Sequence, residues 1–341
     1  MTAGALGLLA AVCGCRDAAA EAGEYVYVTN EDSRNITVID ARNDSVVTTI
    51  EVGTRPRGVK VSPDGRTVYV ALSGSPKCPP SMPDEECQKQ KADPAKDGVA
   101  VVDVASRRVV RTLPAGSDPE AFDVSRDGGR LFVSNEDADS ASIIDLAKGT
   151  VISNVKTGKE PEGVTVAPDG KTFWVTAETD HNITGIDTQS GAVVGVLEVG
   201  MRPRAIAFVH GGAKAFVTNE AGGTVTVVDM AARKAVKTIT MPEGARPMGL
   251  AVAPEGKKVY VSNGRGGTVS VLDASTETVL NSAKAGTRPW GLGVTRDGKK
   301  LYSANGPGNN VSVLDAETMD LVKTVPVGSM PWGIAVGPAV R

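Results

Sequence analysis

An all-β fold is predicted for this chain of 341 residues: a seven-bladed β-propeller built from four-stranded antiparallel blades. The first observation is an apolar run that ends in aspartate and recurs at spacings of 63, 42, 42, 42, 44 and 42 residues. The second is a proline that recurs ahead of a predicted strand at spacings of 63, 42, 42, 44, 42 and 42 residues. The third is a recurring turn that contains Gly, such as Pro63–Gly65. It indicates a tight hairpin, because Gly takes the positive φ that such a turn needs. The aspartates are Asp40, Asp103, Asp145, Asp187, Asp229, Asp273 and Asp315, and the prolines are Pro56, Pro119, Pro161, Pro203, Pro247, Pro289 and Pro331.

Each repeat is predicted to contain four strands, here lettered a to d, by its alternation of apolar and polar residues. In the sixth repeat these are residues 291–295, 300–305, 311–315 and 321–327. The chain begins with strands b, c and d (residues 25–52) and ends with a strand a (residues 333–336). The two termini together complete a seventh blade, which removes the open sheet edges of an unclosed repeat array. The recurring aspartates are expected to accept hydrogen bonds in the c-to-d turns.

The overall charge excludes one class of partner, and the N-terminus indicates export. The 37 basic and 40 acidic side chains nearly balance, so nucleic acid is not an expected partner. Residues 1–20 are apolar and small up to Arg16, and this apolar run is too short for a permanent membrane helix. The pattern predicts an export leader that is followed by a short tether. Val12–Cys15 resembles a bacterial lipobox, so Cys15 is the candidate lipidation site. No basic residue precedes the apolar run, which departs from the pattern and leaves an upstream start open.

Residues 74–97 form a polar, Pro-rich insertion in the propeller that otherwise spans residues 25–338. It carries Cys78 and Cys87, which are expected to pair as a disulfide in an oxidising compartment. A Cys-only metal site is disfavoured because it would need two more ligands nearby and the segment supplies no His. The insertion could cover the channel mouth, dock a partner protein, or be a harmless excursion, and these alternatives stay open.

The tetrapeptide YVTN at residues 27–30 is echoed three times, as FVSN at 132–135, FVTN at 216–219 and YVSN at 260–263. The chain therefore resembles the YVTN-repeat propeller family over nearly its whole length. The runs DPEAF (118–122), EPEG (160–163) and PWG (331–333) look most like the lipoprotein propellers associated with pyrroloquinoline-quinone-dependent catabolism. That association is genomic, so the resemblance implies the fold and carries over no catalytic residue.

The residue after each recurring proline is predicted to form a ring at the mouth of the central channel, because strand a lines that channel. The seven ring residues are Arg57, Glu120, Glu162, Arg204, Met248, Trp290 and Trp332. One interpretation is structural: Arg57 pairs with Glu120, Glu162 pairs with Arg204, and the tryptophans plug the channel. The other is a ligand pocket with a charged half and an aromatic half. The outer row before each proline, rich in arginine, favours an anionic ligand; it comprises Arg55, Asp118, Glu160, Arg202, Arg246, Arg288 and Met330.

Few residues suit chemistry, and no catalytic residue, metal or cofactor is expected. The two histidines, His181 and His210, are predicted on opposite faces, and no mouth position supplies the axial histidine that a haem propeller would use. Glu120, Glu162 and Arg204 are the only set that could serve a lactonase. Glu136, Asp137 and Asp139 lack the spacing of a known calcium loop, although Glu31, Glu136, Glu178 and Glu220 after strand b make this face acidic.

The sequence therefore favours a non-catalytic propeller that binds a small anionic or aromatic ligand, an envelope protein, or both at its mouth. The alternative is an enzyme on the same scaffold, either a lactonase-type hydrolase or an accessory to quinone- or cytochrome-dependent oxidation. The expected location is the periplasm, with a lipid anchor in the outer membrane because Arg16 is not the Asp of a retention signal. Soluble export is the alternative location.

Overall fold

A computed structural model describes residues 23–77, 82, 84–87 and 89–339, and it confirms the seven-bladed propeller. Seven sheets of four antiparallel strands surround a central channel, with strand a innermost and strand d outermost in each blade. Within the described ranges, no helix is long and apolar enough to span a membrane.

Blades are numbered along the chain and their strands are given from a to d. Blade 1 comprises Val59–Val61, Thr67–Leu72, Gly98–Asp103 and Arg108–Leu113. Blade 2 comprises Pro119–Val124, Arg130–Asn135, Ser140–Asp145 and Thr150–Lys156. Blade 3 comprises Pro161–Val166, Thr172–Ala177, Asn182–Asp187 and Val193–Glu198. Blade 4 comprises Pro203–Val209, Lys214–Asn219, Thr224–Asp229 and Lys234–Thr240.

The last three blades follow the same pattern. Blade 5 comprises Pro247–Val252, Lys258–Asn263, Thr268–Asp273 and Thr278–Lys284. Blade 6 comprises Pro289–Val294, Lys300–Asn305, Asn310–Asp315 and Leu321–Pro326. Blade 7 takes strand a, Pro331–Pro338, from the C-terminus and strands b to d, Glu24–Asn30, Asn35–Asp40 and Ser45–Glu51, from the N-terminus. Short 3₁₀ turns lie at Pro94–Lys96, Glu136–Ala138, His210–Gly212 and Gly306–Gly308.

Blade 7 closes the ring as the sequence predicts. Strands a and b pair antiparallel in register from Glu24 opposite Pro338 to Val28 opposite Ile334. A buried polar cluster supports the seam with blade 6, since Lys300 Nζ lies 2.8 Å from Asp44 Oδ2 and Tyr302 donates a hydrogen bond to the same carboxylate. The closure thus rests on strand pairing together with an ion pair between adjoining blades.

The YVTN repeat has a physical role at each of its polar positions. In blade 7, Thr29 Oγ1 donates a hydrogen bond to the backbone oxygen of Arg57 in blade 1 (2.7 Å), which joins neighbouring blades. The Asn that follows crosses the b-to-c hairpin, as where Asn219 Nδ2 donates to Thr226 Oγ1 (2.9 Å). Thr or Ser repeats the bond to the next blade's ring residue from blades 2, 3, 4 and 5, at Ser134, Thr176, Thr218 and Ser262.

The turns also form as predicted. Each of the seven strand-c aspartates accepts a backbone hydrogen bond in its c-to-d turn, for example Asp315 from Thr318 (2.8 Å). The a-to-b turns place Gly at positive φ, as at Gly170 (φ 72°).

The insertion of blade 1 joins strands b and c and contains a one-turn helix at Asp84–Cys87. Its two ends are tied together because Asp93 donates its backbone N–H to the carbonyl of Gly74 and the Asp97 carboxylate accepts from the N–H of Gly74 (3.0 and 2.7 Å). The predicted lipidation site Cys15 lies outside the described residues, as does Cys78, so lipidation and the Cys78–Cys87 disulfide stay predictions.

Candidate functional site

The d-to-a loops and the b-to-c loops meet at one end of the channel and surround a cavity of about 660 Å³, here called the mouth cavity. All seven predicted ring residues line it: Arg57, Glu120, Glu162, Arg204, Met248, Trp290 and Trp332. Below it, a second cavity of about 210 Å³ lies among the a strands and shares several of these ring residues. The ring therefore forms the floor of the mouth cavity and the roof of the channel.

The backbone holds the ring residues in fixed positions because the next residue in every blade is Gly or Ala. A Cβ added at Gly163 would come within 2.3 Å of the carbonyl oxygen of Arg204, and one at Gly333 within 2.5 Å of that of Arg57. Glycine permits this close approach between neighbouring a strands. The small residues that follow the ring are Gly58, Ala121, Gly163, Ala205, Gly249, Gly291 and Gly333. They make an inner ring directly below the first and line the channel.

One half of the mouth cavity is a network of ion pairs centred on Arg57. The Arg57 guanidinium pairs with the fully buried Glu120, and it lies 3.4 Å from Glu136 Oε2 and 3.6 Å from Glu31 Oε1. Arg55 adds a second cation, with its Nε 3.0 Å from Glu31 Oε1. The predicted pairing of Arg57 with Glu120 is therefore present, and it belongs to a larger set.

A second network surrounds Arg204 on the other side of the two ring glutamates. Arg204 Nη1 pairs with Glu162 and with Glu178, and its Nε lies 2.8 Å from Glu220 Oε2. Arg202 contacts Glu178 as well. All three carboxyl groups are less than 10% exposed, so any charge that they carry is stabilised mainly by the arginines and not by water.

The excess of buried carboxylates shifts their protonation. Burial, together with the charge of Glu162, raises the pKa of Glu136 to about 8 and that of Glu178 to about 9. Burial opposes ionisation of Glu162 too, but the neighbouring arginines led by Arg204 outweigh it and hold the pKa of Glu162 below its usual value. At neutral pH the mouth therefore contains both ionised and protonated carboxyl groups.

The other half of the mouth cavity is aromatic. The Arg57 guanidinium lies 5.9 Å from the ring centroid of Trp332, and that of Arg288 lies 5.3 Å from the centroid of Trp290. The loop residue Gly306 makes room for the Trp290 indole, since a Cβ there would lie 3.0 Å from this ring. Trp290 Nε1 is buried and has no hydrogen-bond partner among the described residues.

The base of the insertion also reaches the cavity. Lys77 Nζ lies 2.7 Å from Asp32 Oδ1 and 3.3 Å from Glu31 Oε2, and Ser75 donates a hydrogen bond to Asp137 (2.7 Å). Gln90 lies on the cavity wall. The described part of the insertion thus extends the charged half of the mouth.

Three carboxylates in the first network approach one another closely enough to hold a cation: Asp118, Glu120 and Glu136 offer oxygens within 4.8 Å. The Arg57 guanidinium already contacts all three. The calcium candidates Asp137 and Asp139 are engaged elsewhere, with Ser75 and with the backbone of Glu160. Arg57 therefore supplies the positive charge of this cluster.

Both histidines of the chain lie outside the mouth cavity. No histidine occurs among its described lining residues. His181 lies in a b-to-c turn, where its Nδ1 contacts the backbone of Glu178, and His210 lies in an a-to-b turn at the opposite end of the blades. The positions of the two histidines agree with the prediction from the sequence, and neither supplies an axial ligand to the cavity.

Arg265, Lys77 and Gln90 line the mouth cavity but are not among the residues singled out from the sequence. They lie in b-to-c connections and not beside a recurring proline, so the repeat pattern does not mark them. A signal exists for Arg265: it follows Gly264, which replaces the Glu found at the same repeat position in four other blades.

Comparison with known proteins supports a β-propeller family. Residues 211–335 match the family profile described as cytochrome D1 heme domain, and residues 91–169 match that of YNCE-like β-propellers. Antigen Lp49 of Leptospira interrogans is 31% identical over 110 residues, which are 32% of this chain. The match spans 23% of the antigen's own length.

Solved structures show the same fold at low sequence identity. Hydrazine synthase of Kuenenia stuttgartiensis superposes with a TM-score of 0.69 at 21% identity, covering 83% of this chain and 90% of that one. A candidate 6-phosphogluconolactonase from Bacteroides fragilis gives 0.75 at 18% identity, covering 94% and 99%. A protein of unknown function from Desulfotomaculum acetoxidans gives 0.75 at 15% identity, covering 93% and 99%. These likenesses show the fold and leave the activity open.

Proposed function

We propose that this β-propeller is a non-catalytic binding protein whose mouth cavity takes one small ligand. The observation that carries the proposal is the cavity itself, which measures about 660 Å³, has the ring between it and the channel, and has charged groups on one side and two indoles on the other. That size and mixture of surfaces are typical of small-molecule sites.

The charged half is better suited to orientation than to chemistry. Arg57 and Arg204 are each surrounded by carboxylates at ion-pair distance, so neither is free to polarise a substrate. Such buried networks fix side-chain positions at a cost in desolvation. A fixed polar wall facing an aromatic wall favours recognition of a ligand over its conversion.

The cellular setting is part of the same proposal. The lipobox-like Val12–Cys15 and the resemblance to propellers associated with quinone-dependent catabolism support a lipid-anchored protein of the periplasm, held at the outer membrane. There it would deliver or retain a ligand as an accessory to redox catabolism, with an envelope protein as a further partner.

Native mass spectrometry of protein purified from its own cell envelope tests this proposal, because lipid, ligand and partner masses are read together. We expect an added ligand mass that the double variant Trp290→Ala/Trp332→Ala loses while its melting temperature stays within a few degrees of the parent. Retention of the same ligand by the double variant would contradict a site at the mouth. An N-terminus without an acyl chain would contradict the anchor alone.

A second candidate, a lactonase-type hydrolase, is favoured by one observation: Glu136 and Glu178 lie at the mouth with pKa values of about 8 and 9, which suits acid–base catalysis near neutral pH. Two structural neighbours carry the description 6-phosphogluconolactonase. Hydrolysis of 6-phosphogluconolactone measured with a pH indicator tests it. Turnover that Glu178→Gln abolishes would replace the binding proposal, and no turnover above buffer would exclude this substrate.

A further inference from the structure

The arginines at the mouth divide into two groups by their surroundings. Arg57 and Arg204, in the ring, are matched by buried carboxylates and have no charge left for a ligand. Arg246, Arg265 and Arg288 also line or border the mouth, yet none of them has a carboxylate within 4.0 Å among the residues that the structure describes. The positive charge available to a ligand is therefore on the loops of blades 5 and 6, and not in the ring.

Arg265 and Arg288 lie close enough to influence one another. Desolvation lowers the pKa of Arg288, and repulsion from Arg265 and Arg204 adds to this effect although Glu220 opposes it. Arg246 is oriented by hydrogen bonds from its Nη1 to the backbone oxygens of Ala221 (2.8 Å) and Glu220 (3.4 Å). An arc of like charges that is held in place and partly desolvated favours a bound anion.

The aromatic wall lies directly beside this arc. The guanidinium of Arg288 is 5.3 Å from the centroid of the Trp290 ring, so an anion at Arg288 places its attached group near the indole. The buried Nε1–H of Trp290 has no acceptor among the described residues, and an unsatisfied buried donor is costly unless a ligand or water supplies one. Met248 continues the apolar surface beside it.

We propose that the ligand is a flat aromatic ring that bears an oxyanion, with the oxyanion held by Arg265 and Arg288 and the ring stacked at Trp290. This inference rests on the proposed function, since it specifies what the mouth cavity binds. The ion-paired half of the cavity then has a different role, because its arginines are matched by carboxylates and offer an anion no free positive charge, which leaves blades 5 and 6 as the place for the oxyanion.

Isothermal titration of the full chain with three probes tests the inference. The probes are 1-naphthoate, its neutral analogue 1-naphthamide, and cyclohexanecarboxylate, which keeps the charge without the aromatic ring. We expect 1-naphthoate to bind at least about tenfold more tightly than either of the others, since a charge-assisted hydrogen bond is lost in one analogue and an aromatic stack in the other.

The variant Arg265→Gln/Arg288→Gln should weaken 1-naphthoate binding by about ten- to a hundredfold and leave 1-naphthamide unchanged. Arg126→Gln is the matched control, because Arg126 is exposed in an a-to-b turn at the opposite end of the blades. If 1-naphthoate binds the double variant as well as the parent, or if the three probes bind equally, the inference is wrong while the binding function stands. If no probe binds and envelope-purified protein carries no ligand mass, the proposed function fails as well.

Discussion

Removal of the C-terminal strand tests the closure of the ring. A chain that ends at Met330 lacks strand a of blade 7, Pro331–Pro338, and so leaves strand b of that blade, Glu24–Asn30, without its inner neighbour. Six residue pairs join these two strands, and at a net value of about 1 kcal/mol for each hydrogen bond their loss removes about 5 kcal/mol. Ile334, Ala335 and Val336 also pack against the core, which adds about 3 kcal/mol.

A loss of about 8 kcal/mol is comparable with the whole stability of a typical domain, so the shortened chain should open or unfold at a temperature at least about 10 °C lower. Circular dichroism of the sheet signal during heating measures this. Adding a peptide of residues 329–341 in excess should restore part of the difference by strand addition. A control chain that lacks only residues 340–341 should melt like the parent. Equal melting of the chain that ends at Met330 would refute the closure.

Two further predictions concern the interior. The variant Thr29→Val removes the hydrogen bonds to the backbones of Arg57 and Gly333, and it should lower the free energy of unfolding by about 2 kcal/mol in urea titration. The control variant Thr49→Val, on outer strand d, should change this free energy little. Equal effects of the two substitutions would contradict the role of Thr29 between blades. The pKa of Glu178 is raised from 4.5 to about 9, so the stability that its protonated form contributes is fully present below pH 4.5 and is lost as the pH rises toward 9, at up to about 1.4 kcal/mol per pH unit. The variant Glu178→Gln should therefore flatten the fall in melting temperature between pH 6 and 9. An unchanged slope would contradict the assignment.

The architecture could be predicted from the sequence because each blade carries the same few physical constraints. Proline before strand a, aspartate after strand c and glycine in the a-to-b turn each fix a turn, and their shared spacing gives the number of blades. The ring followed from the same reasoning, since one residue beside each proline must occupy an equivalent place around the channel. All seven ring residues line the mouth cavity.

The partners of the ring residues could not be predicted in full. Arg57 contacts carboxylates from blades 7 and 2, and repeat spacing does not show how far a loop glutamate leans toward a neighbouring blade. The sequence therefore suggested that Arg57 pairs with Glu120 and Arg204 with Glu162, but it did not show the network that surrounds these pairs. It also offered no means of separating matched arginines from Arg265 and Arg288, because that distinction depends on distances between loops of different repeats.

The contact between blades just below the mouth has a consequence for how such a protein could acquire new specificities. Neighbouring blades are joined through the backbone carbonyl oxygen of the ring residue; for example, Thr218 Oγ1 donates a hydrogen bond to the carbonyl oxygen of Met248 (2.6 Å). This carbonyl group is the same whichever side chain the ring residue carries. The backbone carbonyl of each such ring residue thus joins the blades, while its side chain is left to contact a ligand. Met248, Trp290 and Trp332, which form no ion pair among the described residues, can therefore be varied in a library on one scaffold, whereas the four charged ring residues have to be changed together with their partners.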